Sequence, residues 1–380
     1  MNILMLNVSS DLYGSSKILK QTAIALKKKG HQPIILLSET GPLEDEFKTI
    51  GIPTKIIRLG VLRRKYLSVG GLMNRIKVLI KAYQSIKKIC KEQKIDLIYT
   101  NTTPVIIGGI AAKLLGITNL WHLHEILPVK SKEQRFFGWL INWSSDKVIV
   151  VSEAVYENWS DTIDKSKLVL LHNGIDDLEN IDHSFDLRKS LNLPSNKILV
   201  GMIGRVNLFK GQSYFIEVAA AINAKPHDCH FVMVGDAYPG YEYLYDQLSE
   251  QKKLLGVEEI ITDLGYRTDI ASIMNTLDIF VLPSTKPDPF PTVILEAMAA
   301  QKPVVATRQG GACESVVHEL TGYLVPLQDP HSVANHILTL AENESLRNEM
   351  GKAGKERFKL LYSISQFEAS IVEEVESMKA

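Results

Sequence analysis

Short continuous apolar runs alternate with helical patterns along the whole chain. "NILMLNV" (2–8) precedes a helical stretch at 15–29, and "QPIILLS" (32–38) follows it. "DLIYTN" (96–101), "NLWHLHE" (119–125), "DKVIVVS" (146–152) and "KLVLLHNG" (167–174) continue the series. The runs are continuous rather than alternating, which is the pattern of parallel strands covered on both faces. A polar, poorly periodic stretch, "DDLENIDHSFDLRKSLNLPSNK", reads as a linker. A second series then begins: "KILVGMIGRV" (197–206), "HFVMVGDA" (230–237), "EIITDLG" (259–265), "DIFVLPST" (278–285), "PVVATR" (303–308) and "GYLVPL" (322–327). Helical patterns separate these runs too. The prediction is two doubly wound α/β domains in tandem, with ligands beyond the carboxyl ends of the strands. The boundaries expected are 1–180, 181–355 and a C-terminal helix over 356–380 that packs back toward the first domain.

The 380-residue length agrees with two cores, and 45% hydrophobic with 23% charged residues is ordinary for a soluble chain. No apolar run reaches the ~20 residues of a membrane span. The first residues lack the basic leader of a signal peptide. Cys90, Cys229 and Cys313 are scattered with no metal-ligand spacing, so reduced thiols in a cytoplasm are expected. The net charge of zero conceals an asymmetry. Residues 1–180 hold 25 Lys and Arg against 17 Asp and Glu, and the remainder holds 18 against 26. An anionic acceptor or an anionic membrane surface suits the basic half; two surfaces attracting each other suit the pattern equally. The segment 61–94 is basic and amphipathic, and reads either as a membrane-surface helix or as a covering helix with a solvated face.

Candidate chemistry clusters in the second half. In "GMIGRVNLFKGQ", a strand ends at Gly201 to Gly204, Arg205 and Lys210 follow in a loop, and a helix begins near Gln212. Arg offers a planar fork to phosphate oxygens, Lys a point charge, and the helix start favours an anion. In "KPDPFPTVILEAM", Asp288 precedes a helix and Glu296 lies within its apolar run. Glu296 is expected either to accept from ligand hydroxyls or to satisfy a structural partner. Asp288 either grips hydroxyls or caps the helix. Gly310 and Gly311 could present N–H groups to an anion or a sugar. In "NLWHLHE", His122 and His124 lie two apart and share a face. With no third ligand and no D-x-D spacing, no metal site is expected.

The order G-R-x4-K-G, carboxylate-x7-Glu, "EAMAAQKPVVAT", "GG" and "TGYLVP" resembles the retaining GT-B glycosyltransferases of family GT4, over nearly the whole chain. The resemblance implies two Rossmann-like domains facing a central cleft, an acceptor-binding first domain and a nucleotide-sugar-binding second one. It implies metal-independent transfer of a hexose from a UDP- or GDP-sugar to a glycan or lipid-linked glycan, as in bacterial surface polysaccharide assembly. There would be no cofactor and no nucleic acid partner. It implies a cytoplasmic enzyme, with the inner face of the membrane a second possibility. On matching positions, Gly14, Gly204, Arg205 and Lys210 would serve the diphosphate, and Glu296 the ribose. Tyr266 and Arg267 would border the base. Asp288 would reach the sugar's hydroxyls, the backbone around Phe290, Pro291 and Thr292 would face sugar or phosphate, and His124 would face the sugar, with His122 as runner-up. Asp288 stands where the family usually has Glu, and Ser15 where it often has a second Gly. The alternatives are a GT-B nucleotide-sugar epimerase or hydrolase, and a non-catalytic GT-B scaffold.

Overall fold

A computed structural model of the protein describes residues 1–60, 69–178, 185–238 and 240–379. The start of the basic segment 61–94 and the middle of the expected linker lie outside these residues. The first sheet has seven strands: β1 (Asn2–Asn7), β2 (Gln32–Leu37), β3 (Thr54–Ile56), β4 (Leu97–Asn101), β5 (Thr118–Leu123), β6 (Lys147–Val150) and β7 (Leu168–Leu170). The second has six: β8 (Ile198–Ile203), β9 (Cys229–Val234), β10 (Ile261–Asp263), β11 (Ile279–Leu282), β12 (Val304–Thr307) and β13 (Gly322–Val325). All pairings between these strands are parallel. The orders are β3-β2-β1-β4-β5-β6-β7 and β10-β9-β8-β11-β12-β13. Each sheet starts at its centre, runs to one edge and then reverses, which is doubly wound winding.

The apolar runs are continuous because helices cover both faces. Ile3, Leu4, Met5 and Leu6 of β1 are all fully buried, whichever way they point. In the second sheet Phe231, Val281 and Val305 pack with Phe215, Val218 and Ile337 from neighbouring helices. Only β3 escaped the sequence pattern. It is three residues long, lies at an edge and is largely exposed.

Two compact units form: Met1–Gly174 with Ser365–Ala380, and Ile175–Ile364. The helix Glu344–Leu361 runs unbroken through position 355. The last helix, Ile364–Glu376, buries Phe367, Ile371, Val372 and Val375. Its acids meet first-unit cations: Glu368 pairs with Lys28 at 2.7 Å, and Glu374 with Lys147 at 2.5 Å. Where the chain passes from one unit to the other, Ile175 and Ile364 are tied by a 2.8 Å backbone bond. In the described part of the segment 61–94, Ala82, Ile86, Ile89 and Cys90 pack into the first core. That is the packing of a covering helix.

Candidate active site

In the second unit the order reverses between β8 and β11, which are neighbours. The loops beyond their carboxyl ends therefore lie side by side. The loop after β8 carries Arg205 and Lys210, and its shape is set locally. Asn207 Oδ1 accepts from the N–H groups of Phe209 (2.8 Å) and Lys210 (2.9 Å), an Asx turn. Gly211 then adopts φ +86°, and a Cβ there would lie 1.8 Å from the Pro283 carbonyl oxygen. Only glycine fits, because this loop presses on the chain leaving β11. Thr285 completes the join by donating its N–H to the Phe209 carbonyl at 2.8 Å.

Lys210 Nζ forms an ion pair with Asp288 Oδ2. The helix Thr292–Ala299 has Pro291 at its N-cap and no side-chain cap bond, so Asp288 does not cap it. The carboxylate engages a cation instead. The Arg205 guanidinium carbon lies 3.4 Å from the centre of the Tyr238 ring, a cation–π contact that fixes the plane of the fork. Gln212 Nε2 donates to the Arg205 carbonyl at 3.1 Å. Asn207, Gln212 and Tyr238 were missed by sequence reasoning. Only Asn207 left a signal, as an Asn three residues before the lysine.

Glu296 sits partly buried on the helix Thr292–Ala299 between fully buried Leu295 and Ala297. Phe290 is buried and packs edge-on against Tyr362, with centroids 5.7 Å apart, so its side chain belongs to the core. Thr292 opens the helix, where the first N–H groups have no intrahelical acceptor. Tyr266 is 60% exposed, and Arg267 is anchored by a 2.8 Å bond from Nε to Asp269. Gly204 donates its N–H to Val234 at 2.9 Å and lines a pocket with Val206, Gln212, Gly235, Asp263 and Gly265.

The diglycine needs a correction. Gly311 N–H donates to the Asp288 carbonyl at 2.9 Å, so it is not offered to an anion. A Cβ on Gly310, at φ +56°, would lie 2.2 Å from that same carbonyl, and one on Gly311 2.5 Å from the Pro289 carbonyl. The pair is small because the loop of Asp288 rests on it.

In the first unit the residues of interest stand at the carboxyl ends of β1, β4 and β5. Gly14 begins the helix Gly14–Lys28, and a Cβ there would meet nothing within 4 Å, so packing does not demand glycine. His122 is fully buried in β5, with Nδ1 2.5 Å from the Tyr99 hydroxyl. His124 follows the strand and is only partly buried. The rings share one face, 4.2 Å apart. Burial lowers the His124 pKa to about 3 and holds His122 well below the usual range. Glu125 Oε2 accepts from Thr103 N–H (3.0 Å), Thr103 Oγ1 (2.7 Å) and His124 N–H (3.2 Å), while burial raises its pKa.

Among the described residues no group of three or more His, Cys, Asp or Glu could hold a metal ion. No described helix is long and apolar enough to cross a membrane.

Two Rossmann-like domains of parallel strands, with cations and an acid converging at the switch point of the second, are the architecture of a GT-B glycosyltransferase. Residues 184–357 match the family described as Glycosyl transferases group 1, and residues 13–177 match Glycosyltransferase Family 4. The chain belongs to this glycosyltransferase family. An Escherichia coli relative, UDP-Gal:alpha-D-GlcNAc-diphosphoundecaprenol alpha-1,3-galactosyltransferase, is 27% identical over 84% of this chain and 82% of its own length. The crystal structure of Anabaena Alr3699/HepE in complex with UDP-glucose matches over 100% of both chains, with TM-score 0.84 and 26% identity. WaaG, a glycosyltransferase involved in lipopolysaccharide biosynthesis, shares the fold, with TM-score 0.72 at 14% identity over 97% of this chain and 98% of its own.

Proposed function

We propose that this glycosyltransferase moves a hexosyl group from a nucleotide-diphosphate sugar to a glycan or lipid-linked glycan, with retention and without a metal ion. The observation that carries the reading is the Lys210–Asp288 ion pair at the switch point of the second sheet, with Arg205 in the same loop as Lys210. Departure of the diphosphate leaves negative charge on its oxygens. Two fixed cations beside a helix start can stabilise that charge without a divalent ion. Arg205, Lys210, Gly204 and, from the first unit, Gly14 are assigned to the phosphates. Glu296 is assigned to the ribose, and Tyr266 and Arg267 to the base. Asp288 and His124 are assigned to the sugar, and the backbone around Phe290, Pro291 and Thr292 to sugar or phosphate. The UDP-glucose bound by HepE, 26% identical to this chain, supports a uridine donor.

A lipid-linked acceptor is supported by the basic first half and by the E. coli relative's diphosphoundecaprenol substrate. Contact with an anionic membrane is supported by the helix Lys132–Ser144, where Phe136, Trp139 and Trp143 are exposed beside Lys132 and Arg135. Aromatic rings of this kind favour the bilayer interface.

The test is nucleotide release from UDP-glucose, UDP-galactose and GDP-mannose, with and without lipid-linked acceptor, in buffer containing EDTA. Acceptor-dependent release and an unchanged anomeric configuration by proton NMR are expected. A new sugar isomer from donor alone would mark an epimerase. No donor binding by calorimetry would mark a scaffold. Activity abolished by EDTA and restored by Mn²⁺ would overturn the metal-free reading.

A further inference from the structure

The carboxyl ends of β1, β4 and β5 lie next to one another, and each end places one polar side chain in a single hydrogen-bonded chain. Asn7 closes β1, Asn101 closes β4, and His124 follows β5. Asn7 is 1% exposed and Asn101 fully buried, so neither amide is arranged by solvent. Buried amides need their partners, and the partners here fix a direction.

Asn7 Nδ2 lies 2.8 Å from the Ser9 carbonyl oxygen, and Asn101 Nδ2 lies 3.2 Å from the Ser15 carbonyl oxygen. A backbone carbonyl only accepts. Both amides must therefore point their NH₂ groups at these oxygens, and the alternative flip of either would set oxygen against oxygen. With the orientations fixed, Asn101 Nδ2 donates to Asn7 Oδ1 at 2.9 Å. Asn101 Oδ1 then faces His124 Nε2 at 3.0 Å. That oxygen can only accept, so His124 Nε2 must carry a proton. In a neutral ring the other nitrogen is then bare.

We infer that Asn7 and Asn101 are positioning residues that lock His124 in its Nε2–H tautomer, leaving Nδ1 as an obligate hydrogen-bond acceptor. This rests on the reading that His124 serves the transferred sugar. A bare Nδ1 takes a hydrogen bond from a hydroxyl but gives none to a phosphate oxygen or a fluorine. His124 thus selects a donor-sugar hydroxyl and does not act as a proton donor. His122 supports the same state. Its ring lies 4.2 Å away, so a charge on one imidazole opposes a charge on the other.

The tautomer can be read without activity. The chain has 10 histidines, and long-range ¹H–¹⁵N spectra of the full chain labelled at histidine nitrogen separate Nε2–H from Nδ1–H rings. A His124→Gln spectrum assigns the signal. The wild-type His124 ring is expected to be neutral, protonated at Nε2 and unchanged from pH 5.5 to 8.5. Asn101→Leu is expected to release it to a mixture of tautomers or to a titrating ring. Asn101→Asp keeps an acceptor oxygen and should retain the Nε2 proton while making the ring easier to charge, which adds a limb to the pH profile. If Asn101→Leu fails to fold, Asn101→Ala removes the same acceptor oxygen in a smaller side chain and gives the same readout. An Nδ1–H or charged ring in the wild type overturns the inference, as does a tautomer untouched in whichever of these Asn101 variants folds.

A second readout uses donors in which one sugar hydroxyl at a time is replaced by fluorine. The wild type should reject one of them about tenfold more strongly than Asn101→Leu does, the value of one oriented hydrogen bond. Equal rejection by both with the tautomer confirmed would remove His124 from the sugar and leave the relay standing.

Discussion

Lys210 Nζ and Asp288 Oδ2 form an ion pair across 78 residues of sequence. The cation assigned to the diphosphate and the acid assigned to the sugar are therefore immediate neighbours. In a nucleotide-sugar the last phosphate and the anomeric carbon are also neighbours, joined by the bond that breaks. On those proposed assignments, the pair would mark where the phosphate end of the donor meets its sugar end. Lys210→Ala is expected to lower kcat by about 10²–10³-fold, the loss typical of one group removed from a developing negative charge. Asp288→Asn keeps the shape and removes the charge, and is expected to cost less in kcat and more in donor selectivity. Turnover near wild type in Lys210→Ala would remove this lysine from the mechanism.

Glu296 lies on a helix whose neighbouring positions are fully buried. Glu296→Gln keeps the volume and weakens the acceptor. A rise in donor KM of about tenfold is expected with kcat little changed, since a ribose contact serves ground state and transition state alike. A fall in kcat at unchanged KM would move Glu296 to the reacting end of the donor.

Gly211 combines a positive φ with a backbone contact that excludes a Cβ. Gly211→Ala is expected to destabilise the second unit by more than about 2 kcal/mol, because the clashing atom is a carbonyl that cannot swing away. All four tryptophans (Trp121, Trp139, Trp143 and Trp159) belong to the first unit. Calorimetry should thus show an earlier transition in this variant while the tryptophan fluorescence melt stays near its wild-type midpoint. A fluorescence melt that moves by the same amount would mean the two units unfold together.

His122 and His124 give the first unit a specific weakness in acid. The unfolded chain takes up protons near pH 6.5, whereas the folded His124 refuses one until about pH 3. The unfolded state thus binds more protons through that window, and stability falls as pH drops from about 6.5 toward 3. His122 acts in the same direction. Glu125, whose carboxyl is raised, acts in the opposite one and offsets part of the effect. The tryptophan melt should move steadily lower from pH 7 to pH 4. His124→Gln should flatten that slope, and an unaltered slope would place the acid sensitivity elsewhere.

The strands were legible because parallel strands buried on both faces leave continuous apolar runs, and twelve of the thirteen were read that way. The exception, β3, has one partly buried residue and two exposed ones, so no run exists to be seen. The basic and acidic site residues stood out by type and order. Their pairing did not, because Lys210 meets Asp288 only through the adjacency of β8 and β11. Neighbouring-strand loops overturned two local readings. Asp288 had seemed free to cap its helix, but its carboxylate meets Lys210 from the loop after β8. The Gly311 N–H, which had seemed open to an anion, is taken by the Asp288 carbonyl from the loop after β11. Tyr238 under Arg205 left no signal at all, since nothing in a sequence says which ring a guanidinium will cover.

The return of the last helix to the first unit has a consequence for synthesis. Residues 175–364 form one continuous stretch, so that unit can close its sheet as soon as its own residues leave the ribosome. The unit made first must wait for Ser365 onward, because Phe367, Ile371, Val372 and Val375 fill part of its surface. Birth order and completion order are thus reversed. A transcript ending shortly after codon 364 would release a finished second unit tethered to an unfinished first one, a natural substrate for chaperones and proteases.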